Sequence, residues 1–177
     1  MWYVIQVTSG QEARTAALVE RVAQLHFQVS GQQVLKECFV PMYQVERKFR
    51  GRYKLLDRNL FPGYVIAITN DVSALNSVLR RTSSFTKILG NDKAFIPLGR
   101  AEMAFINSFT TEKRRVIHVS RAVAEGDLVK VMEGPMVGHE GWIIEINRRK
   151  GTARIETTMF GRTINVEIGL AVMSKAD

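Results

Sequence analysis

The stretch from Glu125 to Gly151, EGDLVKVMEGPMVGHEGWIIEINRRKG, limits the possible fold more than any other part of the chain. Two short apolar runs, 128–132 and 142–146, flank a loop holding Gly134, Gly138, Gly141 and Pro135. Gly134-Pro135 opens a turn, Gly138 and Gly141 permit positive φ, and the second run starts directly after Gly141. Trp142, Ile144 and Ile146 alternate with Ile143 and Glu145, a period of two that predicts a strand. The stretch therefore predicts a hairpin of a small barrel.

Three further runs follow at short intervals, at 152–156, 162–168 and 170–173. In the second of these Ile164, Val166 and Ile168 alternate with Thr163, Asn165 and Glu167. Five closely spaced strands predict a small closed five-stranded β-barrel. The alternation and the Gly-Pro turn disfavour a helical form of the same segment. Residues 110–122 lose the pattern and are polar and basic, through Lys113-Arg114-Arg115 and Arg121, as suits a connection between domains. The expected organisation is an N-terminal domain over 1–110, a flexible basic linker over 111–122 and the barrel over 123–177.

The N-terminal part reads differently. Residues 1–7 form a strongly apolar run suited to a buried strand. Ser9 and Glu12 have capping-box spacing, and Leu18, Val22 and Leu25 recur at helical intervals, predicting a helix over 11–26. Gly31 interrupts the chain before a second strand, 34–40, which ends at Pro41. Runs 45–49 and 53–56 enclose Arg50-Gly51-Arg52, a hairpin with a basic tip. Pro62-Gly63 then punctuates entry to a strand in which Tyr64, Ile66 and Ile68 share a face. Asp71 caps a helix with Val72, Leu75 and Leu79 on one side. A strand at 85–89 and a helix at 100–109, with Phe105 and Phe109 on one stripe, complete an α+β sandwich of one sheet backed by helices.

Composition narrows function only loosely. Residues 1–122 carry 18 Lys/Arg against 9 Asp/Glu, whereas 123–177 carry 7 against 8. A basic N-terminal part suits a polyanionic or acidic partner, and equally a solvated surface. No apolar run reaches the ~20 residues of a membrane span. The N-terminus lacks a signal-peptide pattern, and one cysteine, Cys38, fits a reducing cytoplasm. Catalysis finds no constellation. His26, His118 and His139 are far apart, His139-Glu140 lacks a second histidine, and Gly134–Gly141 leads into a strand without a phosphate-loop lysine. Ser9 and Ser83-Ser84 have no nucleophile-elbow context. A non-enzymatic protein without metal or cofactor is expected.

Gly126-Asp127, an alternating strand, Glu133-Gly134-Pro135, a loop and Gly141 before another apolar strand resemble the KOW motif. The segments Trp2-Tyr3-Val4, Gly10-Gln11-Glu12, Phe39-Val40-Pro41 and, above all, Leu60-Phe61-Pro62-Gly63-Tyr64-Val65 resemble the N-terminal domain of the NusG family. Met159-Phe160-Gly161-Arg162 with Val166-Glu167 is similar to the end of that family's KOW domain. Glu37–Pro41, Arg47-Lys48-Phe49-Arg50 and Thr86–Gly90 are similar to the specialised LoaP-type antiterminators.

The resemblance implies a monomeric transcription elongation and antitermination factor. Its N-terminal domain would bind the clamp helices of the largest (β′) RNA polymerase subunit and suppress pausing. Gln6, Arg14, Phe61, Tyr64 and Ile66 are the implied contacts, although Phe61 and Ile66 equally suit sheet packing. Thr8, Arg21, Arg80 and Arg81 are candidates for non-template DNA, and Arg80-Arg81 also suits a helix C-terminus. The KOW domain would recruit a second partner, which is Rho or ribosomal protein S10 in general factors and an RNA hairpin in the LoaP group. Arg148, Arg149 and Lys150, joined by Arg154 and Arg162, are the candidate RNA contacts. Met136, His139 and Phe160 occupy loops that relatives present to a protein partner. A rival class is a ribosomal KOW protein binding structured rRNA, which leaves the Phe61–Tyr64 stretch unexplained.

Overall fold

The computed structural model describes residues 1–82, 84–111 and 113–174. These form two compact units. The first comprises Met1–Pro41 and Phe61–Met103, and the second comprises Met42–Leu60 together with the chain from Ala104 onward.

The first unit is built on a four-stranded sheet in the order β2-β5-β1-β6. Its strands are β1 (Trp2–Val7), β2 (Glu37–Phe39), β5 (Tyr64–Ile68) and β6 (Thr86–Ile88). The apolar run at the N-terminus becomes the interior strand, pairing antiparallel with β5 and β6. Helices α1 (Glu12–Ser30) and α2 (Val72–Leu79) cover one face. Tyr3, Ile5, Val7, Val65, Ala67 and Ile88 pack there against Ala16, Val19, Ala23, Leu75, Val78 and Leu79. Alternation along the strands places Val4, Gln6, Tyr64, Ile66 and Ile68 on the opposite face.

Helix signals read from sequence are realised with two differences. Asp71 accepts from the Ala74 amide at 2.9 Å and caps α2. Helix α1 runs one turn further than its apolar periodicity predicts and ends at Gly31, whose left-handed φ of 70° closes the last turn onto the Phe27 carbonyl. The capping box does not form. Gln11 stands at the N-cap without a side-chain bond, and the Glu12 carboxylate turns elsewhere.

In the second unit, β3 (Met42–Phe49) and β4 (Arg52–Asn59) form the predicted basic hairpin, but not in the N-terminal sheet. Strand β3 pairs in parallel with β7 (Val116–Ile117) and so lies in a separate three-stranded sheet. Helix α3 (Arg100–Phe109) matches its predicted span, with Phe105, Ile106 and Phe109 buried. The remaining strands form a five-stranded mixed sheet, β10-β11-β12-β8-β9, in the barrel-like C-terminal domain. They are β8 (Ser120–Glu125), β9 (Leu128–Glu133), β10 (Ile143–Asn147), β11 (Thr152–Met159) and β12 (Arg162–Ser174).

Five strands are present, but not the five expected. The runs at 162–168 and 170–173 merge into β12, and the fifth strand, β8, begins in the segment expected as linker and crosses its boundary with the barrel. Gly169 does not break the strand; it is where β12 passes the Gln44 carbonyl so closely that an added Cβ would collide with it. The described part of 111–122 is anchored. Arg115 is buried and donates to Asn107 Oδ1 at 3.1 Å, and Val116 and Ile117 are buried in β7. Glu112 lies outside the described residues, as do residues 175–177 of the expected barrel and Ser83. Trp142 sits in a 3₁₀ turn, Glu140–Trp142, instead of opening β10. A register shift between Ile143 and Glu145 breaks the alternation read there and leaves Ile144 exposed.

Candidate functional site

Two sequence stretches far apart in the chain meet at Gly63. The Gly63 amide donates to Glu12 Oε1 at 2.7 Å, and its carbonyl accepts from the Val7 amide at 2.8 Å. Glu12 is buried, so this bond is formed away from water. Gly63 has φ of 85°, and a Cβ there would lie 3.1 Å from Ser9 Oγ, so the turn needs glycine for both conformation and space. The next residue, Tyr64, is thereby placed opposite Gln6, which is itself opposite Lys87. Tyr64, Gln6 and Lys87 form a row across three strands on the sheet face away from α1 and α2. Tyr64 and Gln6 are half-buried, Lys87 and Arg14 are exposed, and Phe61 and Ile66 are buried. Trp2 meets Phe39 edge-on, with ring centres 5.4 Å apart, on the same face. The row offers apolar area with polar tips and one cation, the chemistry of a protein contact.

The four residues considered for DNA do not converge on one cleft. Thr8, Arg21, Arg80 and Arg81 are all exposed. Arg80 shares a cleft with Lys87, Ile88, Asn91 and Asp92. Arg81 instead lines an apolar groove of about 510 Å³ with Leu18, Val22, Leu25 and Val29 of α1 and Val78 of α2.

In the second unit the five basic candidates are divided among three places. Arg148 and Arg149 occupy the β10–β11 turn, which Asn147 stabilises by accepting from the Lys150 amide at 2.9 Å. They line a cleft of about 610 Å³ with Glu46, Arg47, Lys48 and Tyr53 of the β3–β4 hairpin, Arg121 of β8 and Ala171–Met173 of β12. Lys150 and Arg154 line a smaller pocket of about 150 Å³ together with Glu145 and Glu167. Arg154 is ion-paired with Glu145, so its charge is locally offset. Arg162 lies at the β11–β12 turn, where it pairs with Met159, at the opposite end of that hairpin.

The cleft is a strongly basic concave surface. Five cations line it, and its one acidic residue, Glu46, is paired with Arg121 at 2.9 Å. Arg47, Lys48, Tyr53 and Arg121 are absent from the candidates read in sequence. The basic hairpin tip was legible there; its approach to the β10–β11 turn was not. Tyr43 holds the arrangement by donating to Glu167 at 2.8 Å, and His118 bonds Gln44 at 2.9 Å. Burial, then the bond to Glu167, pushes the Tyr43 phenol well above its ordinary range.

The three residues considered for a protein partner also separate. Met136 is only 1% exposed, and its amide donates to Ser120 Oγ at 3.0 Å, so it fills the domain core and Val137 is the exposed side chain of that loop. His139 packs against Trp142 and Phe109, with ring centres 4.5 and 5.2 Å away. Phe160, at φ of 58°, forms the β11–β12 turn. Among the described residues no group of three His, Cys, Asp or Glu side chains is placed to hold a metal, and no helix is long and apolar enough to cross a membrane.

Comparison with known proteins places these features in a family. Residues 1–107 match the family described as Transcription termination factor nusG, and residues 125–156 match the KOW motif. The chain is 30% identical over 181 residues to the transcription termination/antitermination protein NusG of Vibrio parahaemolyticus, covering 99% of this chain and 96% of that one. It is 28% identical to the NusG of Thermus thermophilus, covering 99% and 98%. A solved structure described as "Domain interaction in Thermotoga maritima NusG" shares the fold, with a TM-score of 0.53 at 18% identity over 95% of this chain and 92% of that one. An N-terminal sheet locked by the Glu12–Gly63 bond, a C-terminal KOW segment and similarity over the whole chain lead to one conclusion: this protein belongs to the NusG family of transcription termination/antitermination factors.

Proposed function

We propose that this family member is an elongation and antitermination factor of the specialised, LoaP-like kind. Its first unit grips the clamp helices of the β′ subunit of RNA polymerase, and its KOW domain recruits a nascent RNA hairpin. The observation that carries the polymerase contact is the Gly63 turn, which holds Tyr64 beside Gln6 and Lys87 on the sheet face opposite α1 and α2. Buried Phe61 and Ile66 support that face, while Tyr64, Gln6 and exposed Arg14 supply groups a partner can reach. Lys87 and Arg80 add positive charge suited to a nearby DNA strand. On the C-terminal side, Arg148 and Arg149 are the RNA contacts.

Binding of the full chain to core RNA polymerase tests the reading. Tyr64→Ala is expected to weaken binding by about 30-fold, the scale of an interface hot spot, and to abolish pause suppression in a transcription assay without lowering the melting temperature. Unchanged polymerase affinity in Tyr64→Ala would overturn this assignment. Similarity to general NusG proteins over the whole chain favours a second reading, in which Rho or ribosomal protein S10 is the C-terminal partner. Capture of either by the full chain, with no RNA binding, would select it.

A further inference from the structure

The geometry points to a site for single-stranded RNA made jointly by the β3–β4 hairpin and the β10–β11 turn. This inference rests on the reading that the C-terminal domain engages RNA, and it names which RNA element the cleft takes: an unpaired segment rather than a duplex.

Arg47 and Lys48 come from one hairpin, Arg148 and Arg149 from another and Arg121 from β8, and all five line a single cleft. Glu46 is the only carboxylate among the lining residues and is already paired with Arg121. With Glu46 and Arg121 offsetting each other, the four cations of the two hairpins form a track for consecutive phosphates. The positions are held rather than fortuitous. The Arg121–Glu46 pair, the Tyr43–Glu167 bond and the passage of Gly169 over the Gln44 carbonyl tie β3 to the C-terminal sheet beside the cleft.

The second element is aromatic. Tyr53 is 66% exposed on the cleft wall. Lys48, which also lines the cleft, places its Nζ 6.0 Å from the Tyr53 ring centre. An exposed ring with a cation beside it offers stacking for a base and charge for the adjoining phosphate. Bases in a duplex are already stacked and cannot use it, whereas an unpaired segment can. The floor of Ala171, Val172 and Met173 is apolar, and at about 610 Å³ the cleft has room for nucleotides of one strand. A surface evolved only for solubility needs neither the aromatic wall nor the convergence of two hairpins on one concavity.

Fluorescence anisotropy of the full chain would use three labelled probes: an RNA hairpin, the same hairpin with an unpaired extension, and an unstructured oligouridine, with oligothymidine as competitor. The extension is expected to tighten binding, and Tyr53→Ala to remove that gain by about tenfold or more while Tyr53→Phe preserves it. Arg47→Ala/Lys48→Ala is expected to lower the slope of log affinity against log salt by about 0.7 for each phosphate no longer neutralised. Lys93→Ala, on an exposed loop of the first unit, serves as the unaffected control. Equal binding of both hairpin probes, with Tyr53→Ala silent but Arg148→Ala/Arg149→Ala defective, overturns this inference and leaves the RNA reading intact. Failure to bind any probe overturns both. Equal competition by oligothymidine overturns the preference for RNA over DNA.

Discussion

Gly134→Ala probes the packing that joins β8 to the turn after β9. Gly134 has φ of 98°, and a Cβ there would lie 2.7 Å from both Cα and Oγ of Ser120 and 3.0 Å from the Val119 carbonyl oxygen. Ser120 Oγ also receives the Met136 amide, so its displacement disturbs a buried hydrogen bond. The left-handed conformation costs an L-residue about 1–2 kcal/mol. Overpacking against backbone adds about 1–3 kcal/mol, and reduced freedom of the unfolded chain returns about 0.4–1 kcal/mol. The expected net loss is about 2–4 kcal/mol. Gly138→Ala is the internal control, since φ there is 78° but nothing lies within 4 Å of the new methyl. Only the conformational terms remain, for a loss of about 0.5–1 kcal/mol. Urea unfolding followed by Trp142 fluorescence in a Trp2→Phe background reads the second unit. With a slope of about 2 kcal/mol/M, Gly134→Ala should lower the midpoint by about 1–2 M and Gly138→Ala by well under 1 M. Equal shifts for the two variants would refute the close approach to Ser120 as the cause.

Other predictions address separate parts of the chain. Glu12→Ala leaves the Gly63 amide without its acceptor and should cost about 1–3 kcal/mol in thermal unfolding, with Glu12→Gln closer to wild type; two neutral variants would remove the bond from the account. Phe109→Ala opens the cluster with Phe105, His139 and Trp142 and should cost about 3–5 kcal/mol. A loss below about 1 kcal/mol would show that the cluster does not support the fold. Burial, then Glu20 and Glu37, pushes the Cys38 thiol up to about 12 from an ordinary 9.0. The folded state therefore retains the proton more strongly: that stabilisation is complete below pH 9.0 and is lost as pH rises through about 12. Iodoacetamide at pH 8 should label Cys38 in urea but not in the native chain, and rapid native labelling would contradict its burial.

The features legible in sequence are those with a local cause. An apolar run marked β1, and alternation marked β5 and much of β12; Asp71 marked a helix start through its own side chain; the basic hairpin was visible in Arg47–Arg52. The Phe61–Tyr64 stretch and the KOW segment carried enough type and order to indicate the family. Local patterns failed where the competing interaction was distant. Glu12 had capping-box spacing, yet it bonds Gly63, fifty-one positions away. Val116-Ile117 was too short to show a period, and it became a strand by pairing with Met42-Tyr43. Met136 looked like an exposed loop residue until Ser120 drew its backbone into the core.

The candidate sites divide in the same way. The family resemblance marked Tyr64, while Arg148 and Arg149 stood out by residue type as well, because clustered guanidinium groups are chemically distinctive wherever they fall. Periodicity determined which faces of the strands could be buried, and glycine and proline determined where the chain could turn. Only the tertiary structure decided that Arg148 and Arg149 would meet Arg47, Lys48 and Tyr53 while Lys150, Arg154 and Arg162 turned elsewhere. The physical reason is that a strand's apolar pattern specifies a face but not a neighbour. The neighbour is selected by pairings across the chain, such as Arg121–Glu46 and Tyr43–Glu167, whose partners are 75 and 124 residues apart.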